Sequence, residues 1–268
     1  MDSIRGQVVV ITGAAGGIGA ALSRRLSAAG ARLALVDWNQ AALHLLADEL
    51  GPDHLPIVQD LAENESFPAL VATVRETLGP ISMLINNAAV TVYGPFVDQT
   101  PLDLDRILDV DLRAVMHMTH AAVPQLMETK GRLVLVSSMA GLHGFPMQAG
   151  YSAAKFGVRG FGQAMRAELA SRGVTVTTVM PGTVATPFLS NAGSVDPKMS
   201  NIIGSLMTRY GAPSDHVAGR ILRAVERGQA EMRIGWDCIA LGWLEKVAPS
   251  VLPRGLGLAM RLHRRKGK

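Results

Sequence analysis

The chain alternates between short, continuous apolar runs and longer stretches in which apolar residues recur at helical spacing. The short runs predict buried strands and the amphipathic stretches predict helices. The predicted strands are Val8–Thr12, Arg32–Val36, His54–Val58, Met83–Asn86, Arg132–Ser137, Val174–Met180 and Met232–Ile234. The predicted helices are Gly19–Ala29, Gln40–Leu50, Phe67–Leu78, Leu104–Met127, Ser152–Ser171 and Asp215–Arg227.

Strands that are apolar throughout are typical of a parallel sheet covered by helices on both faces. The βαβ rhythm runs without a linker, so we expect one doubly wound α/β domain over residues 1–235. The rhythm fails after Pro181, and Thr186–Gly211 is predicted to be irregular, with apolar residues among Asn, Gly, Ser and Pro. Residues 236–268 form an apolar extension that ends in a basic tail.

The composition indicates the cellular compartment in which we expect the protein. The single cysteine, Cys238, excludes an intrachain disulfide and fits a reducing compartment. No apolar run approaches the roughly 20 residues that a membrane span needs. The first strand begins at Val8, which leaves no room for a signal peptide before it. We therefore expect a cytoplasmic protein.

The positive net charge is concentrated at one end of the chain. Of the total of +4, five basic residues lie in the last eight positions, which leaves −1 for residues 1–260. Nucleic-acid binding is therefore not predicted. The tail is interpreted as a solvated terminus, although Trp236 and Trp243 upstream of it also permit peripheral contact with an anionic membrane. A C-terminal flap packed over the substrate site or over a subunit partner is favoured over such contact, because Pro249 and Pro253 interrupt any long amphipathic helix.

A glycine-rich turn follows the first strand. Gly13, Gly17 and Gly19 would let the backbone approach a pyrophosphate at the N-terminus of the next helix, although glycines also serve simply as turn residues. Asp37 ends the second strand, where an acid can bind the adenosine ribose hydroxyls of NAD. Its charge would repel the 2′-phosphate of NADP, and neither Ala15 nor Trp38 supplies a cation, so NAD is the expected cofactor.

Tyr151 and Lys155 lie one helical turn apart on the same helix face. Tyr has an unperturbed pKa near ~10, too high for a base at neutral pH. A neighbouring ammonium would lower that pKa and let Tyr151 exchange a proton with an alcohol or carbonyl oxygen. Such a pair taken alone is more often an ordinary helix surface, so the interpretation depends on the rest of the chain.

The residues resemble the classical short-chain dehydrogenase/reductase family over about residues 5–235. The markers, in chain order, are Thr12-Gly13-x-x-x-Gly17-Ile18-Gly19, Asp60, Asn86-Asn87-Ala88, Ser138, Tyr151-x-x-x-Lys155 and Pro181-Gly182. The resemblance implies a Rossmann-type sheet of about seven parallel strands. It also implies hydride transfer between a nicotinamide cofactor and an alcohol or carbonyl, and a homodimer or homotetramer.

The same resemblance implies individual roles. Ser138 would hydrogen-bond the substrate oxygen, and Lys155 would also bind ribose hydroxyls. Asn87 would support the turn beneath the cofactor. The expected cofactor-binding residues are Gly13, Gly17, Ile18, Gly19, Asp37, Asp60, Leu61, Asn87, Tyr151, Lys155, Pro181, Gly182 and Thr186. No metal site is predicted, and His143 is left outside the catalytic set.

Two positions depart from the family pattern. The family's motif is Asn-Asn-Ala-Gly, and Ala89 stands in place of its glycine. Asp111 stands where the family usually carries an Asn that holds a proton-relay water near Lys155. The carboxylate of Asp111 is expected either to keep the relay, to hold Lys155 in a salt bridge, or to raise the pKa of Tyr151. Asp111 is therefore counted with Ser138, Tyr151 and Lys155 in the catalytic set.

The apolar residues of Thr186–Gly211 lie where the family has its substrate lid, and they favour a hydrophobic substrate unless they only complete the core. Alternatives are an NADPH-linked carbonyl or acyl-thioester reductase, and a non-catalytic nucleotide-binding or scaffold protein. Oligomer contacts would use the helices around the fifth strand. Their candidate residues are Met116, Met118, Ala121, Val123, Phe156, Val158 and Phe161.

Overall fold

Seven parallel strands form the central sheet of the computed structural model, which describes residues 4–186, 188 and 193–257. They are β1 (Val8–Thr12), β2 (Arg32–Asp37), β3 (Leu55–Val58), β4 (Ile81–Asn86), β5 (Arg132–Val136), β6 (Thr175–Pro181) and β7 (Glu231–Ile234). Their order across the sheet is β7-β6-β5-β4-β1-β2-β3. The doubly wound, Rossmann-type fold predicted from the sequence is confirmed. The order reverses beside β1, which opens a crevice at the carboxyl ends of β1 and β4.

Helices cover both faces of the sheet and separate two cores. The helices are α1 (Gly17–Ala28), α2 (Gln40–Leu50), α3 (Phe67–Leu78), α4 (Pro101–Leu108), α5 (Ala114–Thr129), α6 (Ala149–Leu169), α7 (Pro197–Tyr210), α8 (Ser214–Glu226) and α9 (Trp236–Val247). Residues of α1, α2 and α8 bury one face of the strands. Residues of α3, α5 and α6 bury the other. The five inner strands are thus apolar on both sides, as the continuous runs predicted, whereas the edge strands β3 and β7 are partly exposed.

The long helix predicted over Leu104–Met127 is interrupted. A π-helical turn, Asp109–Arg113, joins α4 to α5. Such turns are rare and concentrate at functional sites. The turn contains Asp111, whose side chain is fully buried. The interruption could not be read from the apolar period, because the helical run itself continues through it.

The irregular structure predicted for Thr186–Gly211 is wrong over α7. The Asp196 side chain accepts a hydrogen bond from the Met199 N–H (3.1 Å) and Pro197 opens the helix. This start signal outweighs the Gly and Ser residues that follow. Two-residue strand pairs fasten the region to the body: Val92–Tyr93 with Gly193–Ser194, and Val184–Ala185 with Ala212–Pro213.

The candidate oligomer residues divide between core and surface. Met118 and Val158 are buried against the sheet. Met116 and Phe156 are each 43% exposed. The last two are therefore the ones that remain available for a subunit contact, and the oligomer itself stays a prediction.

The C-terminal extension begins with α9, and residues 251–257 are helical again after a break at 248–250. Buried Cys238 and Leu241 of α9 pack with Leu142 and Met180, and Leu252 joins them. The basic tail lies outside the described residues. Within the part of the chain that the structure describes, no helix is long and apolar enough to cross a membrane.

Candidate active site

The glycine turn between β1 and α1 is packed too closely to admit side chains. Gly13 has a φ of +64°, and a Cβ on it would lie 2.8 Å from the Ala88 Cα. A Cβ on Gly19 would lie 1.9 Å from the Gly13 carbonyl oxygen. These contacts fix the turn at the N-terminus of α1, which no side chain of the described residues caps, and such an uncapped N-terminus is suited to bind a pyrophosphate.

Asn87 holds this turn from below. Its Nδ2 donates to the carbonyl oxygens of Thr12 (3.0 Å) and Gly13 (3.1 Å). Its N–H donates to the Thr12 Oγ1 (3.0 Å). The contact between Asn87 and the turn that the resemblance implied is therefore present. Ile18 packs beside the turn against the first core.

Asp37 lies against the same turn. Its Oδ2 accepts a hydrogen bond from the Ala15 N–H (2.9 Å), and its Oδ1 accepts one from the Asn39 N–H (3.0 Å). Two backbone donors thus fix the carboxylate at the end of β2 while lone pairs remain for further donors. Its chain neighbour Trp38 is 68% exposed. The carboxylate thus lies at the carboxyl end of β2, against the glycine turn.

Asp60 and Leu61 are positioned differently from the glycine turn. The Asp60 carboxylate accepts from the Ala62 N–H (3.0 Å) and pairs with Arg106 of α4 (2.8 Å). Burial raises the pKa of Asp60, but these partners outweigh it and the net pKa lies below the usual range. The Leu61 side chain is buried in the second core. The sequence did not indicate that Arg106 would engage Asp60.

Ser138, Tyr151 and Lys155 converge at the carboxyl end of β5. Ser138 follows that strand, and its Oγ accepts from the Ala140 N–H (3.1 Å). Ser138 also lies close enough to Tyr151 to lower its pKa. The Lys155 Nζ lies 5.6 Å from the centre of the Tyr151 ring and donates to the Val136 carbonyl oxygen (3.3 Å). The three residues that the resemblance grouped are therefore adjacent in space.

Asp111 joins this group through a buried ion pair. Its Oδ2 lies 3.1 Å from the Lys155 Nζ, and both side chains are almost completely shielded from solvent. Its Oδ1 accepts from the Val90 N–H (2.7 Å), in the loop after β4. Of the outcomes expected for Asp111, the salt bridge is present.

Burial and the neighbouring groups shift the pKa of Tyr151 in both directions. Burial raises the pKa of Tyr151, and the Asp111 carboxylate raises it further. The Lys155 ammonium and the Ser138 side chain lower it, but the net pKa stays above the ordinary value. Burial lowers the pKa of Lys155, yet Asp111 and Tyr151 outweigh burial and keep the amine charged. Lys155 thus lowers the pKa of Tyr151, as expected of a neighbouring ammonium, but burial and the Asp111 carboxylate outweigh it.

Apolar side chains cover Tyr151. The Phe188 ring centre lies 5.7 Å from that of Tyr151, and Phe145 packs in the same cluster. Thr186 lies against Gly17, since a Cβ on that glycine would be 2.8 Å from the Thr186 Cγ2. An open depression of about 460 Å³ beside Thr186 is lined by polar residues of α7. The residues lining it are Thr186, Ser200, Asn201, Gly204, Ser205, Thr208 and Arg209.

The sequence did not indicate two contacts that fasten α9 to the site. The Asp237 Oδ2 accepts from the Thr183 N–H (2.7 Å), directly after Pro181 and Gly182. A Cβ on Gly182 would lie 2.0 Å from the Asp237 Oδ1, so this glycine makes room for the carboxylate. His143 pairs with Glu245 of α9. The acid directly after Gly235-Trp236 was the available signal, because acids favour the first turn of a helix.

Among the described residues, no group of three or more His, Cys, Asp or Glu side chains is arranged to hold a metal ion.

With this geometry in hand, comparison with known proteins identifies the family. The family model for short chain dehydrogenase matches residues 7–196. The chain is a member of the short-chain dehydrogenase/reductase family. This short-chain dehydrogenase is 35% identical over 263 residues to "Putative oxidoreductase SadH" of Mycobacterium tuberculosis, covering 95% of each chain. It is 34% identical to a 3-oxoacyl-[acyl-carrier-protein] reductase of Synechocystis, covering 82% of this chain and 90% of that one.

Solved structures share the fold of this short-chain dehydrogenase. A short-chain dehydrogenase/reductase from Burkholderia phymatum in complex with NAD superimposes with a TM-score of 0.85 at 22% identity. The match covers 91% of this chain and 94% of that one. Levodione reductase superimposes with a TM-score of 0.78 at 24% identity. The expected family and fold are confirmed, and the protein is an oxidoreductase of a family that uses nicotinamide cofactors.

Proposed function

We propose that this protein interconverts a hydrophobic alcohol and its carbonyl compound, with NAD as cofactor. The observation that carries the proposal is the convergence of Ser138, Tyr151 and Lys155 at the sheet edge where the crevice opens. Tyr151 and Lys155 are buried, and Ser138 is partly exposed next to them. A non-catalytic scaffold would have no need of this buried, partly charged group.

The residues of the crevice fit a dinucleotide. Within the part of the chain that the structure describes, no side chain caps the N-terminus of α1 beside the glycine turn, so its first N–H groups would bind the pyrophosphate. Asp37 would hold the ribose hydroxyls, and Thr186 would lie at the nicotinamide side. When bound, the nicotinamide ring exchanges the hydride with the substrate carbon. The preference for NAD rests on the Asp37 charge, which opposes a 2′-phosphate.

The chain's own residues handle the proton. Ser138 donates a hydrogen bond to the substrate oxygen, and the Tyr151 hydroxyl gives that oxygen its proton during carbonyl reduction. In alcohol oxidation Tyr151 takes the proton back as a phenolate. The net raised pKa of Tyr151 favours the protonated hydroxyl that carbonyl reduction uses.

Asp111 sets the charge of this group in our proposal. The ion pair with Lys155 holds the ammonium near the Tyr151 ring and offsets part of the charge that would otherwise stabilise the phenolate. Asp111 also ties the loop after β4 to this pair through the Val90 N–H. Asp111 is thus a positioning residue that sets the proton affinity of Tyr151.

A hydrophobic substrate is supported by the apolar cover over Tyr151. Phe145 and Phe188 pack there, and Leu142 and Leu252 lie in the adjoining cluster with α9. A polar polyol would find few hydrogen-bond partners among these side chains. The polar depression beside Thr186 lies on the cofactor side of α7 in this assignment. We further propose that the enzyme forms a homodimer or homotetramer through exposed Met116 and Phe156.

A second candidate is an NADPH-linked acyl-thioester reductase, which the similarity to the Synechocystis 3-oxoacyl-[acyl-carrier-protein] reductase favours. Absorbance of the reduced nicotinamide, measured with both cofactors, separates the two. The assay pairs secondary alcohols and ketones of increasing apolar size with an acetoacetyl thioester. We expect turnover with NAD or NADH that improves with apolar size. A lower Michaelis constant with NADPH, or turnover of small polyols alone, would contradict the proposal.

A further inference from the structure

Helix α9 presents apolar side chains on two opposite faces. Its inner face carries Cys238 and Leu241, which are buried against Leu142 and Met180. Its outer face carries Trp236, Ile239, Trp243 and Val247, which recur every three or four residues and so form one stripe along the helix. A single surface helix of a globular protein needs only the inner face, so the outer stripe requires its own explanation.

The outer stripe is exposed to an unusual degree. Trp236, Trp243 and Val247 are 82%, 64% and 77% exposed, and Val251 in the next helical residues is 53% exposed. Scattered exposed apolar residues are ordinary, but adjacent ones that include two tryptophans mark a contact surface. Tryptophan in particular favours the boundary between water and lipid.

The distribution of charge along the chain indicates which kind of partner the outer stripe of α9 would bind. Residues 236–268 contain seven Lys or Arg residues and two acids, a net charge of +5, whereas residues 1–235 carry −1. Both acids are already occupied: Asp237 accepts from the Thr183 N–H, and Glu245 pairs with His143. Lys246 lies at the edge of the stripe, and no acid follows Glu245 in the chain.

We propose that the outer face of α9, together with the basic residues after it, docks on an anionic lipid surface. Tryptophan and aliphatic side chains would enter the headgroup boundary, while Lys and Arg would bind lipid phosphates. A second copy of the chain fits less well, because it would bring two surfaces of the same positive charge together. The inference does not depend on the proposed reaction.

Helix α9, whose outer face is proposed to bind lipid, also packs against the substrate side of the active site. Asp237 and Glu245 fasten it to Thr183 and His143, on either side of the catalytic group. Leu252, just beyond α9, packs with Phe145 and Met139. An apolar substrate dissolved in a bilayer would therefore meet the enzyme at the face nearest to its pocket.

Tryptophan fluorescence reports directly on this surface. The chain has three tryptophans, so Trp38→Phe leaves emission from Trp236 and Trp243 alone. We expect vesicles containing phosphatidylglycerol to shift this emission to the blue and to sediment with the protein. Phosphatidylcholine vesicles should have much less effect, and high salt should weaken the binding.

Matched variants separate the two contributions. Trp236→Ser combined with Trp243→Ser should lower partitioning to phosphatidylglycerol vesicles by about tenfold or more. Leu45→Ser, at a leucine of α2 that is 72% exposed, should leave it unchanged. Replacing Arg261, Arg264 and Arg265 by Gln should also lower it by about tenfold or more and remove most of the salt dependence. This triple variant leaves α9 itself untouched, so a folding defect would not explain its effect.

Two results would overturn the proposal. The protein could remain in the supernatant, without an emission shift, whatever the lipid. Alternatively, light scattering could show a dimer, formed without lipid, that Trp243→Ser dissociates while vesicle binding is absent. The surface would then join two copies of the chain.

Discussion

The nucleotide half and the substrate half of this enzyme are both held by glycines, but the atoms that oppose those glycines differ. A Cβ on Gly19 would meet the backbone oxygen of Gly13, and a Cβ on Gly13 would meet the backbone of Ala88. For a Cβ on Gly182, the three nearest atoms all belong to the carboxylate of Asp237. Gly13 and Gly19 are thus opposed by backbone, whereas Gly182 is opposed by a side chain that a substitution can remove.

The largest loss of stability is expected for a substitution in the glycine turn of the nucleotide half. Gly19→Ala should lower the free energy of unfolding by at least about 3 kcal/mol, because the Gly13 backbone must shift to admit the methyl group. Gly16→Ala is the matched control, since nothing lies within 4 Å of its Cβ. It should change stability by no more than about 0.5 kcal/mol. Urea denaturation of the two variants makes the comparison, and equal stability would contradict it.

The substrate half should instead respond to a double substitution. Asp237→Ala removes two hydrogen bonds and should cost about 2 kcal/mol. Gly182→Ala should be costly in the wild type because of the Asp237 carboxylate, but much less so in the Asp237→Ala background. The two losses should therefore sum to more than the loss in the double variant. Additive losses in urea denaturation would show that the carboxylate is not what opposes the Cβ.

The preference for NAD over NADP tests the role of Asp37, which lies where the glycine turn meets the end of β2. Asp37→Ala should lower the ratio of kcat/KM with NAD to that with NADP by about 10–100-fold, the worth of charge-assisted hydrogen bonds. The ratio cancels any loss of stability from the Ala15 and Asn39 contacts. Asp48→Ala, at an exposed acid of α2, is the control. An unchanged ratio for Asp37→Ala would remove the basis for preferring NAD.

The smallest effect is a shift in pH dependence. Asp111→Asn removes a negative charge that raises the pKa of Tyr151. Because oxidation needs the phenolate, the rising limb of its pH–rate profile should move to lower pH. Reduction, which needs the phenol, should lose rate at lower pH than in the wild type. Asp109→Asn, in the same π-helical turn, should leave both profiles in place, and profiles of Asp111→Asn that match the wild type would exclude the proposed role.

The same contrast explains what the sequence could predict. Strands, their parallel order and the glycine turn follow from local patterns, because apolar runs and backbone packing are encoded by neighbouring residues. Tyr151 and Lys155 are readable for the same reason, since one helix fixes their spacing.

The contacts that the sequence did not predict join residues that are distant in the chain. Asp237 reaches Thr183, and His143 reaches Glu245 across 102 positions. Arg106 engages Asp60 in the same way. The π-helical turn at Asp111 lies inside a stretch that the apolar pattern predicts as one helix, so the pattern did not reveal it. Helix α7 was missed because one Asp-Pro start outweighed a composition typical of loops.

The most direct test of the account is the proton transfer by Tyr151. Tyr151→Phe keeps the ring that packs on Phe188 and removes only the hydroxyl. Tyr210→Phe removes the hydroxyl of an exposed tyrosine on α7 and serves as the control. Reduced nicotinamide absorbance with NAD and an apolar secondary alcohol should fall by at least about 100-fold for Tyr151→Phe and stay unchanged for Tyr210→Phe. Retention of wild-type turnover by Tyr151→Phe would contradict the assignment of Tyr151 as the proton-transferring residue.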